Sequence, residues 1–473
     1  MNHRKISIAL FALAMPLVAF GQGNESNPKV LNLKAVAAPK PALRYELLPN
    51  AFDQTPGDAS SHYLNFLAHI KGKDSKISFS KEEWEWIKLP IDKLPMKKVR
   101  KKLLSESEFA MLETASRYEQ CLWPTNVHIR KFGISTLLPA VGSLRDIGRA
   151  LSLRARVQVK DGHIDQAIRT IKVGLAMARH LEEGSTLIEG LVGMAIAQMI
   201  FDRVEELIQH EKGPNLYWAL TELPRPMVSL RRGLRYERYA LRFTLPKIYE
   251  LTRETYTKEA WQVRMNDVVR IWGEVQVFSD ASVSQDQDEV RLGVALFSAV
   301  RYPDAKRQLI DNGKDAKQIE SMPVTQVVLM HETERLRHWS DETFKWFHLP
   351  YWQAEPGIQK TEQAFKVAAA RKESILAKLL LPAISSAIRT QVLLDQRIAS
   401  LRTVEAIRMH AASNEGNLPD RLSSITLVPV PLDPVSGKSF DYRIEEGIAR
   451  LTGKQPRATR SSQGQLNLEI HMK

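Results

Sequence analysis

The stretch GRALSLRARVQVKDGHIDQAIRTIKVGLAMARHL, residues 148–181, decides the fold predicted for this chain. Apolar residues recur at helical spacing on both sides of Asp161 and Gly162, which together have the composition of a turn. Gly162 permits a reversal of the backbone, Asp165 can cap the second helix, and Ala167 is small where two helices must approach. The stretch therefore predicts a helical hairpin.

The same stretch resembles a tetratricopeptide repeat. Its turn and second-helix start, DGHIDQAI at residues 161–168, carry the resemblance, and Ala155, Ile171, Gly174 and Leu175 fall at the family's small or apolar positions. The match covers about one repeat of roughly 34 residues, whereas a stable solenoid usually needs about three copies, and no second copy is in register. Two interpretations stay open, a repeat-like packing unit within a helical array or an unrelated helix pair, and neither implies catalysis.

Helical patterns extend along most of the chain. They are strongest over residues 143–212, and a long helix is predicted over residues 385–412, ending at Gly416. The polar stretch at residues 279–289 predicts a loop and a candidate sub-boundary. The predicted fold class is therefore mainly α, with a helical array as the body at residues 51–412.

Residues 413–473 have a different pattern and predict a small α+β C-terminal unit. Alternating apolar residues indicate strands near 439–444, 447–451 and 465–470, with a hairpin turn at Glu445-Glu446-Gly447. We expect these strands to form an antiparallel sheet.

A segment before those strands is similar to the C-terminal part of type II secretion pseudopilins. It reads NLPDRLSSITLVPVPLDPVSGKSFDY at residues 417–442, where Asp433-Pro434 and Ser436-Gly437 predict two turns. In that family a long helix precedes such a segment and a small sheet follows it, and the order here agrees. The resemblance implies the local fold only, because the family's calcium ligands are not evident in the tail.

The composition excludes several classes of protein. The chain has 473 residues, 44% of them hydrophobic, a formal net charge of +13 and one cysteine. One cysteine excludes an intramolecular disulfide framework and a multi-cysteine metal site. No apolar run reaches the roughly 18–20 residues of a clean membrane span, which excludes a polytopic membrane protein.

The first 21 residues have the pattern of a secretory signal peptide. Arg4 and Lys5 precede an apolar stretch at residues 6–20, and small residues at the exit predict cleavage before Gln22. The alternative is an uncleaved N-terminal anchor. We expect a periplasmic or extracellular protein without a membrane span after signal removal, in which residues 22–50 form an extended leader segment.

Two basic clusters are the candidate binding surface. The first places five charges in six positions, and the second places several arginines on one helical face. The surface would contact an acidic partner, either a protein or an envelope polymer, and export disfavours nucleic acid; the alternative is two solvated helix faces. The clusters comprise Lys97, Lys98, Arg100, Lys101 and Lys102, and Arg231, Arg232, Arg235, Arg238 and Arg242.

Catalytic motifs are lacking in the sequence. No nucleophile-elbow, phosphate-loop or dinucleotide-binding motif occurs, and we assign no catalytic, cofactor or metal-binding residue. His331 and Glu332 match the first two residues of the zinc-binding motif of a zinc-protease helix, but an arginine stands where the motif requires its second histidine. An enzyme would need a polar pocket that brings together some of His331, Glu332, Glu334 and His338.

The chain as a whole resembles a group of uncharacterised exported helical proteins of planctomycete-type bacteria. The segments PALRYELLP at residues 41–49, DQTPG at 53–57, PNLYWAL at 214–220 and LPRP at 223–226, together with Asp433-Pro434, carry this resemblance. We expect an exported helical scaffold or protein-interaction protein with no identifiable catalytic activity. The alternatives are an enzyme with a site between helical layers and an accessory component of a secretion or pilus-like assembly, in which residues 413–473 would be exposed and dispensable for folding.

Overall fold

The computed structural model describes residues 28–71, 77–132, 139–238, 250–279, 286–370, 382–457 and 465–473. The predicted signal peptide, its cleavage site, the first residues of the leader segment, most of the predicted 279–289 loop and Arg242 lie outside these residues.

Sixteen α-helices occur among the described residues, which agrees with the predicted mainly α class. The first eight are α1 (Ser60–Lys71), α2 (Lys81–Trp86), α3 (Met96–Lys102), α4 (Glu106–Ser116), α5 (Thr125–Phe132), α6 (Pro139–Lys160), α7 (Ile164–Glu182) and α8 (Leu187–Gln209). The others are α9 (Tyr217–Glu222), α10 (Arg231–Arg238), α11 (Lys258–Ser279), α12 (Gln287–Asp311), α13 (Ala316–Ser321), α14 (Val324–Phe344), α15 (Tyr351–Ala370) and α16 (Pro382–Ser413).

The predicted hairpin at residues 148–181 is present as helices α6 and α7, and α8 packs on both. Gly162 has φ of +75° at the turn, as its glycine predicts. Gly174 permits the close packing of α7 on α8, because a Cβ there would lie 2.7 Å from Cδ1 of Ile200. The predicted cap was wrong: His163 precedes the helix without a side-chain cap, and Asp165 lies in the first turn.

A four-stranded sheet closes the fold at the C-terminal end. Its order is β1 (Lys29–Leu33), β6 (Asn467–Met472), β5 (Ile448–Thr452) and β4 (Asp441–Glu445). The three predicted strands are present, and β4–β5 and β5–β6 are antiparallel. The expectation of a purely antiparallel sheet was wrong, because β1 pairs with β6 in parallel.

The fourth strand comes from the predicted leader segment. Leu31 and Leu33 of β1 are fully buried, and they pair in register with Ile470 and Met472. Two further strands, β2 (Thr55–Asp58) and β3 (Tyr118–Gln120), form a separate parallel pair. The N-terminal segment therefore forms part of the same sheet as the C-terminal strands.

Helix α16 connects the helical body to this layer, close to the predicted bounds of 385–412. It packs against α8 and α9, and its Val404 and Ile407 lie in the same apolar core as Leu451 and Ile470 of the sheet. The turn predicted at Asp433 is present, since its backbone carbonyl accepts from the amides of Ser436 at 3.2 Å and Gly437 at 2.8 Å. Its buried carboxylate accepts hydrogen bonds from Nε2 of Gln396 and from the amide of Lys454, both at 2.9 Å. Residues 413–473 thus share the core of the body, which differs from the exposed unit that an assembly role would require.

Candidate functional site

A charged cleft of about 300 Å³ lies between the N-terminal segment and helices α4 and α7. Three separate parts of the chain build its wall. The lining residues are Arg44, Tyr45, Glu46, Pro49, Asp53, Glu113, Ser116, Arg117, Asp165, Ile168, Arg169, Lys172 and Val173.

The N-terminal wall is a loop held by Asn50. Its Nδ2 donates to Oε2 of Glu46 at 2.9 Å, and its Oδ1 accepts from the amides of Phe52 and Asp53, both at 2.9 Å. This is the asparagine turn in which a side chain replaces a backbone acceptor. The loop leaves Phe52 fully exposed, at 101% of its reference surface, directly before the lining residue Asp53.

Helix α7 supplies the opposite wall. Asp165, Arg169 and Lys172 follow one another at four- and three-residue spacing, which places them on one face of the helix. The opposite face carries buried residues such as Ala167 and Leu181 of the core. The amphipathic pattern that packs α7 into the body therefore also turns its charged face toward the cleft.

Two ion-pair groups organise the cleft. Two nitrogens of Arg169 donate hydrogen bonds to the carboxylate of Glu113, with 2.5 Å between Nη2 and Oε2. This hydrogen bonding lowers the pKa of Glu113 below its usual value. Nζ of Lys172 lies 3.1 Å from Glu46 and 3.4 Å from Asp53. Lys172 therefore ties the N-terminal loop to helix α7 and fixes the width of the cleft.

Two arginines of the cleft are held less closely than Arg169 and Lys172, although the lining as a whole carries four basic and four acidic side chains. Arg117 is about half exposed and reaches only 3.7 Å from Glu113, which Arg169 already holds. Arg44 is exposed, lies 5.4 Å from the ring centroid of Tyr45, and makes no ion pair with any residue that the structure describes. Since a guanidinium binds a carboxylate well, this side of the cleft is suited to an acidic group.

The first predicted basic cluster lies on α3, and its charges are partly used within the protein. Arg100 binds both carboxylate oxygens of Asp161 at 2.6 and 2.8 Å, Lys98 lies 3.0 Å from Glu82, and Lys102 lies 3.3 Å from Glu83. Lys97 and Lys101 are exposed and form no ion pair with the described residues. A continuous five-charge surface is therefore reduced to two free lysines.

The second predicted cluster lies on α10. Arg231 and Arg235 are exposed, and Arg232 approaches Glu183 to 4.0 Å. Arg238 is the last residue of the helix. Because Arg242 lies outside the described residues, the structure places four of the five predicted arginines on this element.

The four residues considered for an enzyme site do not converge. His331 is buried and its Nε2 lies 3.0 Å from Oε1 of Gln308, with burial lowering its pKa to about 4. Glu334 points to Lys314 at 3.2 Å, and His338 is exposed beside Trp339. Glu332 is buried. None of the four lines the charged cleft described above.

A buried polar network that the sequence did not suggest surrounds Cys121. The ring of His180 contacts the carbonyl of Tyr118 through Nε2 at 2.8 Å and the hydroxyl of Tyr63 through Nδ1 at 2.9 Å. Since a carbonyl only accepts, Nε2 carries the proton and Nδ1 accepts from Tyr63. Burial lowers the pKa of His180 to about 4 and raises the pKa of the Cys121 thiol far above its usual value. The cysteine is therefore an unreactive core residue.

The cleft was missed at the level of sequence because its walls come from distant segments. Its N-terminal wall lies in the segment PALRYELLP at residues 41–49, which contains Arg44, Tyr45, Glu46 and Pro49. That segment was interpreted as an extended leader, since a charged stretch without a steady period gives no indication of its partner.

Comparison with known protein families, with curated proteins and with solved structures finds no match for this chain. Within the described ranges, no helix is both long and apolar enough to cross a membrane. The same residues contain no group of three or more His, Cys, Asp or Glu side chains arranged to hold a metal ion.

Proposed function

We propose that this protein is an exported helical scaffold that binds an acidic polypeptide segment of a partner in the charged cleft. The observation that carries the proposal is the pair Arg44 and Arg117 in the lining of the cleft: Arg44 has no carboxylate partner among the described residues, and Arg117 has only Glu113, which Arg169 holds more closely. A carboxylate of the partner would complete their charge pairing through hydrogen bonds that are stronger than neutral ones.

The cleft has a size that suits a peptide segment. A volume of about 300 Å³ is at the lower end of the range for small-ligand pockets and accommodates a few side chains. Phe52 beside it offers an aromatic surface, a residue type enriched in protein–protein interfaces. We therefore expect a segment in which acidic residues lie close to an apolar residue.

The arrangement favours binding over catalysis. The cleft combines ion pairs with an open rim, and Glu113 is held as a carboxylate by Arg169. The buried His180 and Cys121 do not line the cleft, and no hydrogen bond between them occurs among the described contacts. The shifts of their pKa values leave both side chains neutral at pH 7. A scaffold role needs none of these groups to react.

The first experiment is a selection from a random heptapeptide display library on the immobilised protein. Enrichment of peptides that contain Asp or Glu next to an apolar residue supports the proposal. Recovery of basic or purely apolar peptides, or an absence of enrichment, contradicts it.

Export is a separate part of the proposal and rests on the sequence of residues 1–21. N-terminal sequencing of the protein from its native cell envelope or medium should give a chain that begins at Gln22. A protein that retains Met1 and stays in the cytosol would show that the proposed location is wrong.

A further inference from the structure

Helix α12 packs one apolar face into the body. It carries a second apolar stripe on the opposite, exposed side. Its buried residues include Val290, Val294 and Leu309, which pack in the apolar clusters with α14. The second stripe consists of Leu292, Leu296 and Val300, which are exposed by 61, 60 and 77%, with the exposed Ala295 and Ala299 between them.

The spacing of the exposed stripe is that of a helix-packing face. Residues four apart on a helix lie above one another, so the three large side chains form a continuous row. A row of this kind on a surface is a typical docking site for another helix.

The charges at the two ends of the stripe identify the partner. Asp288 and Glu289 stand before it, and Lys306 and Arg307 stand after it. Each acidic residue is about five helical turns from one of the basic residues, so Asp288 shares one side of the helix with Lys306 and Glu289 shares the other with Arg307. One end of the row therefore carries two acidic residues beside Arg291, which binds Asn266, and the other carries two basic residues beside Asp304, which binds Arg307.

We propose that a second copy of this chain docks on the exposed stripe of α12, with the two helices antiparallel about a two-fold axis near Phe297. This arrangement places Leu292, Leu296 and Val300 of the two copies against one another. It also places Asp288 and Glu289 of each copy against Lys306 and Arg307 of the other, and an isologous interface forms both sets of pairs at once.

The two basic residues differ in exposure, since the Lys306 side chain is 32% exposed and Arg307 is the more accessible of the two. Lys306 lies 2.8 Å from Glu320 of its own chain, and Arg307 lies 2.5 Å from Asp304, while the Arg307 side chain remains 69% exposed. Each can add a second carboxylate from the other copy. Because one helix face offers less than the roughly 800 Å² per partner of a standard interface, we expect a weak dimer, with a dissociation constant on the order of 10 µM.

Sedimentation velocity over about 1–100 µM protein tests the dimer, because this range brackets the expected constant. The wild-type protein should shift from monomer to dimer, and Leu296→Glu should weaken the dimer at least about tenfold. Val127→Glu is the matched control, since Val127 is 62% exposed on the separate helix α5, and this variant should dimerise like the wild type. A monomer at every concentration, or equal effects of the two variants, would overturn the proposal.

Charge reversal tests the antiparallel orientation. Asp288→Lys/Glu289→Lys and Lys306→Glu/Arg307→Glu should each be monomeric alone, because like charges then meet at both ends. An equimolar mixture of the two should restore dimer, as the reversed ends become complementary, and this recovery also shows that both variants are folded. A mixture that stays monomeric, or single variants that dimerise as before, contradicts the antiparallel pairing.

Discussion

Arg408 donates from Nε to the backbone carbonyl of Lys34 at 3.1 Å, although 374 positions separate the two residues in the chain. The same guanidinium binds Glu405 at 2.9 Å and the carbonyl of Gly213 at 3.0 Å. Arg408 and Glu405 are both fully buried. One side chain of α16 therefore holds the N-terminal segment, the loop before α9 and its own helix together.

Replacing Arg408 with Met should strongly destabilise the protein. The substitution leaves Glu405 as a buried carboxylate without its partner, and breaking a buried pair in this way typically costs about 3–5 kcal/mol. The free energy of unfolding from urea denaturation measures the loss. The double variant Arg408→Met/Glu405→Met should be more stable than the single variant, because no unpaired charge remains.

A loss below about 1 kcal/mol for Arg408→Met would contradict the role assigned to this residue. A double variant that is less stable than the single one would show that lost packing, and not the unpaired charge, sets the effect.

His180 should make the stability of the protein depend on pH. Its pKa of about 4 in the folded state is below the unfolded value of about 6.5, so the unfolded chain binds the proton more readily. The contribution of His180 is therefore complete above about pH 6.5 and is lost as the pH falls toward 4, by about 3 kcal/mol in total.

The comparison of wild type with His180→Gln isolates this effect, because glutamine does not titrate while the remaining groups are unchanged. The free energy of unfolding of the wild type should fall more steeply between pH 6.5 and 4 than that of the variant. Parallel pH profiles of the two proteins would show that His180 is not buried as a neutral ring.

Gly174→Ala should destabilise the α7–α8 contact. The added methyl group would stand 2.7 Å from Cδ1 of Ile200, and overpacking of this kind typically costs about 1–3 kcal/mol. Gly142→Ala is the control, because a Cβ on this exposed helical residue meets nothing within 4 Å. The control should instead gain up to about 1 kcal/mol from the higher helix propensity of alanine.

The sequence predicted the parts of the fold that local chemistry determines. Gly162 marks the hairpin turn through its left-handed backbone, and Glu446 and Gly447 form the β4–β5 turn with positive φ. Each of these features is contained within a few residues. The interpretation of residues 148–181 as a tetratricopeptide-like unit stays a prediction, since a single helix pair does not distinguish the two interpretations.

The parts that were missed depend on contacts between distant segments. Strand β1 is a short stretch whose partner β6 lies at the other end of the chain, so its alternation alone could not identify the sheet. The cleft likewise joins Arg44, Glu113 and Arg169 from three segments. The sequence shows the basic clusters, but only the structure pairs Arg100 with Asp161 and leaves Arg44 without a carboxylate partner among the described residues.

Phe52→Ala should weaken peptide binding without affecting folding. The side chain is fully exposed, so the free energy of unfolding should change by less than about 0.5 kcal/mol. Loss of its contact with a bound peptide should raise the dissociation constant about five- to tenfold, which corresponds to about 1 kcal/mol. Fluorescence anisotropy of a labelled peptide from the display selection measures the change, and an unaltered constant would exclude Phe52 from the binding surface.

The binding of that labelled acidic peptide to two charge-reversed variants tests the cleft most directly. Arg44→Glu/Arg117→Glu reverses the two arginines that line the cleft, and Arg231→Glu/Arg235→Glu applies the same change of charge to exposed arginines of α10. The cleft variant should bind at least about tenfold more weakly than the wild type, while the α10 variant should bind with nearly the wild-type affinity. Equal losses in the two variants, or a cleft variant that binds like the wild type, would contradict the assignment of the cleft as the binding site.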